Sequence, residues 1–323
     1  MRQRRFVMRC VAAIAIAAAC TSAGAQAYPA KPIQLYVAFG PGGVGDIVAR
    51  LVAREMSKNM GQAVIVENRP VPIVGTAVVA KAKPDGYSLA LTGNGTALTT
   101  ALFKSLPYDL MQDLTHVSTL AFFDMTLIAG SASQFNAVAD VLAYAKANPG
   151  KLNIGTARLG STQNLAAEMF KAMAGIDAVV VPYKSTADLV TAVRTNDVHV
   201  AFEILPPILS QITSKTVKAL AVTSSKRFSG LPEVPTVAES GIPGFEATSW
   251  SGISVPAKTP AAIVDRLGKE VQAAVASPEV QKALQAVGIV ASSSSPEQMS
   301  QRMKSDIAKW RAVIDKEIGR AHV

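Results

Sequence analysis

Ile33-Gln34-Leu35-Tyr36-Val37-Ala38-Phe39-Gly40-Pro41-Gly42-Gly43-Val44-Gly45-Asp46-Ile47 decides how this chain folds. Ile33 to Phe39 is an apolar run with strand character. From Ile47 to Asn59 apolar side chains recur at helical spacing (Ile47, Val48, Leu51, Val52, Met56), and Gly61 follows as a stop signal. A strand that feeds a glycine loop and then a helix makes an anion site: glycines bend the backbone through positive φ, and the free N–H groups of the first helical turn point at the guest. Phosphate and carboxylate both suit such donors.

The compartment narrows the choice. Met1 to Arg9 holds four arginines and no acid, Cys10 to Cys20 is almost wholly apolar, and Ala23-Gly24-Ala25 and Ala25-Gln26-Ala27 fit small-x-small cleavage sites. This reads as a bacterial secretory signal over residues 1–27, its apolar part too short to span a bilayer. Arg4-Arg5 is an ordinary basic region before it is a twin-arginine signal, and Cys20 is a weaker candidate for a lipid anchor. Both cysteines lie in the leader, so the exported chain has no disulfide, thiol nucleophile or cysteine metal site. Loss of Arg2, Arg4, Arg5 and Arg9 takes the formal charge from +9 to +5, thinly spread, which suits small anions and not nucleic acid.

Strand-like runs then alternate with helical patterns: Ala63 to Glu67 with Gly75 to Lys83, Leu152 to Thr156 with Ser161 to Ala174, Ala178 to Pro182 with Thr186 to Thr195. The alternation predicts an α/β fold with mostly parallel sheets flanked by helices. From Pro296 to about Ile318 a last helix sets Met299, Met303, Ile307, Trp310 and Ile314 along one core stripe. Asn153-Ile154-Gly155-Thr156-Ala157-Arg158-Leu159-Gly160-Ser161-Thr162 repeats the opening strand, loop and helix about a hundred residues on. One anion turn in each half implies a ligand between two sheets, at the carboxyl ends of their strands.

At these residues, and through Tyr28-Pro29-Ala30-Lys31-Pro32, Val66-Glu67-Asn68-Arg69-Pro70, Lys83-Pro84-Asp85-Gly86-Tyr87, Leu106-Pro107-Tyr108-Asp109, Asn148-Pro149-Gly150-Lys151-Leu152, Val181-Pro182-Tyr183-Lys184, Leu231-Pro232-Glu233-Val234-Pro235-Thr236 and Trp250-Ser251-Gly252, the chain resembles the tripartite tricarboxylate transporter substrate-binding family, the Bug receptors. The resemblance implies a two-lobed periplasmic binding fold of type II-like form: residues 28–127 and 251–323 in one lobe, 128–250 in the other, with crossings near Leu127 to Gly130 and Trp250 to Val255. It implies a carboxylate pinched between Gly42, Gly43 and Asp46 on one side and Gly160, Ser161 and Thr162 on the other. It also implies membrane transporter subunits as partners, and neither cofactor, metal nor catalysis. The chain departs from the family around the cleft: Val71-Pro72-Ile73-Val74 stands where a glycine-rich turn is usual, Arg158 for a glycine, Asn164 for a histidine, Ser185 for a glycine and His199 for an aspartate. The apolar Val71 to Val74 favours a less polar, aromatic acid.

Individual residues carry two readings each. Asp46 is an N-terminal helix charge before it is a ligand contact, and Ser161 is an N-cap, since no base or nucleophile elbow accompanies it. Asn94, after the strand Tyr87 to Leu91, is a cleft-edge candidate. Arg158 pairs with a second carboxylate or lies on the rim. Glu203 grips an ammonium, or pairs with Arg194 or Lys184. His199 is a structural histidine, and Glu168 with Lys171 is a solvated pair. The leading function is a monomeric periplasmic receptor for a small organic acid. A sensory receptor is the alternative, and a nucleotide enzyme the distant one, because the loop matches neither G-x-G-x-x-G nor a Gly-Lys-Ser/Thr motif.

Overall fold

The computed structural model describes residues 28–69 and 72–318. Residues 1–27, on which the expected export signal and both cysteines fall, Pro70, Val71 and residues 319–323 lie outside the described residues. Strands β1 (Ile33–Val37), β2 (Val64–Asn68), β3 (Ser88–Gly93) and β4 (Leu114–Phe123) are followed by β5 (Met125–Gly130), β6 (Leu152–Thr156), β7 (Ala178–Pro182), β8 (Val200–Ile204) and β9 (Val217–Val222), then β10 (Ser249–Pro256) and β11 (Ile289–Ala291). The helices are α1 (Val44–Met60), α2 (Pro72–Ala80), α3 (Asn94–Leu102), α4 (Val138–Ala147), α5 (Thr162–Ala174), α6 (Thr186–Thr195), α7 (Leu205–Thr213), α8 (Ala261–Ala276), α9 (Pro278–Gln285) and α10 (Pro296–Val313), the last continuing into a π-helical turn, Ile314–Ile318.

Two sheets result: a six-stranded one in the order β11-β4-β10-β3-β1-β2 and a five-stranded one in the order β7-β6-β8-β5-β9. Alternating strands and helices predict parallel pairing, and β1 with β2 and β3, and β6 with β7 and β8, obey it. Both sheets are nevertheless mixed, because β5 runs antiparallel to β8 and β9, and β10 antiparallel to β3 and β4. The reason is topological. A strand reached through a helix returns to the far end of the sheet and runs parallel, whereas β5 and β10 each enter straight from the other sheet and run back from the shared edge. Consequently β1, β3, β6 and β8 all end at that edge, where the first strand-loop-helix turn and its repeat both sit.

The chain changes sheets at Asp124 and again between Val222 and Ser249. The expected crossings fall inside strands instead: Leu127 to Gly130 belongs to β5 in the second sheet, and Trp250 to Val255 to β10 in the first. The passages are lashed together at Thr223. Its hydroxyl receives Met125 N–H (3.0 Å) and donates toward the carbonyls of Met125 and Ala247, while Ala247 N–H donates to Thr223 O (2.9 Å).

Each sheet carries apolar clusters on its faces. Leu35, Val48, Val52, Met56 and Ile253 pack under α1 and α8, and Trp250, Met299 and Met303 under α10. On the second sheet, Leu189, Val193 and Ile208 lie on one face. The remaining cluster joins the lobes: Ile154, Phe170 and Phe202 of the second sheet's side pack with Leu98 and Ala101 of α3 and with Trp310 and Ile314 at the end of α10. The stripe read from the sequence of α10 therefore serves both lobes, Met299 and Met303 the first and Trp310 and Ile314 the second. Ile307 is half-buried between them.

Candidate functional site

Both glycine turns are built alike. In the first lobe Gly42 has φ +78°, and its N–H donates to Asp46 Oδ2 (2.9 Å). In the second, Gly160 has φ +71°, and its N–H donates to Asn164 Oδ1 (3.1 Å). In each case a glycine in the left-handed region precedes the N-cap (Gly43 or Ser161), and the third helical residue folds its side chain back onto that glycine. Only glycine takes this backbone cheaply. Asn164, which stands where the family usually has a histidine, thus does in the second lobe what Asp46 does in the first.

The rest of each turn differs. Gly43 offers no side chain, so the first-turn N–H groups of α1 receive no side-chain cap. In α5 the Ser161 hydroxyl caps Asn164 N–H (3.2 Å), the role its sequence predicted. Asp46 is 3% exposed and fully engaged: beyond Gly42 it accepts from Arg50 Nε (3.0 Å to each oxygen) and from Asn68 Nδ2 (2.7 Å), while Arg50 also donates to Asn68 Oδ1 (2.8 Å). Burial works against its charge, but the bonds from Arg50, Asn68 and Gly42 outweigh it and hold the carboxyl below its ordinary value. Asp46 holds the turn in shape. The Arg50 partner was legible as an i,i+4 pair; Asn68, from β2, was not.

Asn94 opens α3 and is fully buried. Its Oδ1 accepts the indole N–H of Trp310 (2.8 Å), and its Nδ2 donates to Thr162 Oγ1 (2.9 Å), a bond directly between the two lobes. The N-termini of α3 and α5 therefore meet at the cleft. Just before Asn94, Gly93 lets β3 lie close against β10, since a Cβ there would collide with the carbonyl of Trp250. Glu203, 1% exposed at the end of β8, pairs with neither Arg194 nor Lys184. It accepts from Gln163 Nε2 (2.8 Å), Thr186 Oγ1 (3.0 Å) and Ile204 N–H (2.7 Å), tying the first turns of α5 and α6 to the strand. Burial raises its pKa against the pull of those three bonds. With both carboxylate oxygens engaged by these elements, Glu203 braces the strand end against α5 and α6.

Arg158 and Leu159 are exposed on the second turn, and Arg158 enters none of the described ion pairs. Of the segment Val71 to Val74, Val71 lies outside the described residues. Pro72, Ile73 and Val74 open α2 in place of a stiff loop, a position where proline's missing N–H costs nothing. His199 is structural: Asn153 N–H donates to Nδ1 (3.0 Å), the ring packs beside Tyr144 and Phe135, and burial lowers its pKa. The described residues hold no cluster of His, Cys, Asp and Glu able to bind a metal, and no helix long and apolar enough to cross a membrane. Glu168 and Lys171, expected on a solvated face, form a 2.9 Å pair whose side chains are largely covered.

Comparison with known proteins agrees with this architecture. The model of the tripartite tricarboxylate transporter family receptor matches residues 48–319. A UPF0065 protein from the tcbD-tcbE intergenic region of Pseudomonas sp. strain P51 is 35% identical over 312 residues, covering 95% of this chain and 93% of that one. Among solved structures, the periplasmic binding protein BugD superposes with a TM-score of 0.75 at 33% identity, over 90% of this chain and 98% of its own. An R. palustris protein with adipate superposes with a TM-score of 0.77 at 32% identity, over 89% and 97%. Its solved members are binding proteins, not enzymes. Two mixed sheets, paired glycine turns and likeness along nearly the whole chain make this protein a member of the tripartite tricarboxylate transporter receptor family.

Proposed function

We propose that this protein is a monomeric periplasmic receptor that holds a small organic carboxylate between Gly42-Gly43 and Gly160-Ser161-Thr162 and delivers it to membrane transporter subunits. In this reading the first 27 residues direct export. The observation that carries it is the matched pair of turns, each a positive-φ glycine held by the third residue of the following helix, one per lobe and both at the shared edge. A carboxylate suits the uncapped first turn of α1, where N–H groups and helix dipole favour an anion. The relative with adipate supports an organic acid as guest.

Asp46, Asn94 and Glu203 then act on the ligand indirectly, by fixing the turns and the ends of the helices. Binding stabilises the closed arrangement because the ligand touches both lobes. Thermal-shift and calorimetric titration of the protein purified from a periplasmic extract tests this. A ligand at one hundred times its dissociation constant adds about 2.7 kcal/mol. Binding of at least one carboxylate with no response to ATP or NAD is expected. Stabilisation by a nucleotide and by no carboxylate would overturn the reading.

A further inference from the structure

Three large apolar side chains stand uncovered on elements that meet the shared edge. Phe39, 38% exposed, ends the strand side of the first turn, and its ring packs against the first turn of α1 at Gly45, where a Cβ would collide with it. Val74, 48% exposed, sits in the first turn of α2. That turn lies beside the same loop: a Cβ on Gly75 would be 3.3 Å from the Cβ of Arg69 and 4.0 Å from that of Ala38. Leu159, 66% exposed, precedes Gly160 in the second turn. Single exposed apolar side chains are ordinary, but these three are set apart by lying on or beside the two glycine turns.

The first turn offers no polar side chain before Asp46: Gly40, Pro41, Gly42, Gly43, Val44 and Gly45 present backbone and hydrocarbon alone. Asp46 itself is engaged within the protein. One end of the guest is thus met by N–H groups and the adjoining surface by Phe39 and Val74. We propose that the ligand is an acid with one carboxylate and an apolar ring or chain, which rests on Phe39 and is covered from the other lobe by Leu159. This rests on the receptor reading above and names its substrate class. Arg158 fits as well, since a guanidinium with no carboxylate partner stacks on an aromatic face.

Calorimetric titration of the purified protein with benzoate, phenylacetate and cyclohexanecarboxylate on one side, and malate, adipate and citrate on the other, separates the outcomes. At least one apolar monocarboxylate is expected to bind about tenfold more tightly than any of the polar acids. Leu159→Ser should weaken that binding about threefold to fivefold, with the melting temperature of the unliganded protein unchanged, since the side chain is exposed before binding. Phe39→Leu should weaken benzoate more than cyclohexanecarboxylate. Tighter binding of malate, adipate or citrate overturns the apolar class and leaves the receptor reading intact, as does apolar-acid binding indifferent to both substitutions. Silence from every acid in both sets brings down the receptor reading together with this one.

Discussion

Replacing Asn94 by alanine tests the joint on which both lobes meet. The side chain is fully buried, and so is Trp310, whose indole N–H it accepts at 2.8 Å. Asn94→Ala therefore leaves a buried donor with no acceptor, at a cost of about 1–3 kcal/mol, and removes the 2.9 Å bond to Thr162, worth about 0.5–1.5 kcal/mol more. A total near 2–4 kcal/mol is expected. Trp310→Phe, by contrast, keeps most of the ring but orphans Asn94 Oδ1 and opens a small void, about 2 kcal/mol. In the double variant neither polar group is orphaned, so its cost should fall short of the summed single costs by about 1–2 kcal/mol. Urea unfolding followed by far-UV circular dichroism gives all four stabilities; Trp fluorescence does not serve, because the chain has only two tryptophans. Additivity within about 0.5 kcal/mol would refute the coupling between Asn94 and Trp310.

Two further perturbations probe buried carboxyls of opposite sign. Asp46→Ala should destabilise by about 1–2 kcal/mol through loss of its bonds to Gly42 and Asn68, since Gly42 is open to water and Asn68 keeps its bond to the carbonyl of Phe39, with little from Arg50, which is half exposed and screened. Because the folded carboxyl titrates below its ordinary 3.8, its contribution is complete above that value and is lost as pH falls through the lower one; an unaltered acid-unfolding profile in the variant would contradict this. Asp124, at the first passage between sheets, is raised to about 6, chiefly by burial and also by the charge of Glu246, against a hydrogen bond from Ser224. The folded state then holds its proton more tightly between pH 3.8 and about 6, so stability falls as pH rises through that window. Asp124→Asn should accordingly stabilise by about 2–3 kcal/mol at pH 7.5 and by almost nothing at pH 4, and equal effects in urea unfolding at the two pH values would exclude the assignment.

What could be read from the sequence follows the range over which each feature is determined. Leu152 to Thr156, Ala178 to Pro182 and Thr186 to Thr195 form over the residues their patterns mark, because β-branched runs, Ser185 as N-cap and Asn196 as left-handed stop all act within one turn. The segment after Arg69 misleads, since Pro72 with Ile73 and Val74 looks like a stiffened loop, yet proline at a helix start and neighbours that bury one face make it α2. The crossing points mislead for another reason. Thr223, Met125 and Ala247 fix them through contacts 24 to 98 residues apart, which no local pattern announces. The same holds for the site. The glycine turns are local and legible, whereas Asn68 reaching Asp46, Gln163 reaching Glu203 and Trp310 reaching Asn94 are set only when sheets and lobes have assembled.

These long-range bonds also decide which parts can move. Asn94 and Thr162 lie beside the apolar seam in which Leu98 and Ala101 meet Phe170, so parting the lobes there would expose apolar surface and break the 2.9 Å bond between them. At Asp124 and Thr223 each lobe reaches the other through single strands, where a rotation pivots on a few backbone angles. The turns carrying Gly42 and Gly160 belong to different lobes, and a rotation at those strands alters their separation while each keeps its own brace, Asp46 with Asn68 in one and Asn164 in the other. The turns thus move as preformed units, and ligand binding need only set the distance between them. On the proposal made above, selectivity for the acid's body would fall to the residues beside the turns, Phe39, Val74, Arg158 and Leu159, whose side chains take no part in the bracing bonds of Asp46 and Asn164.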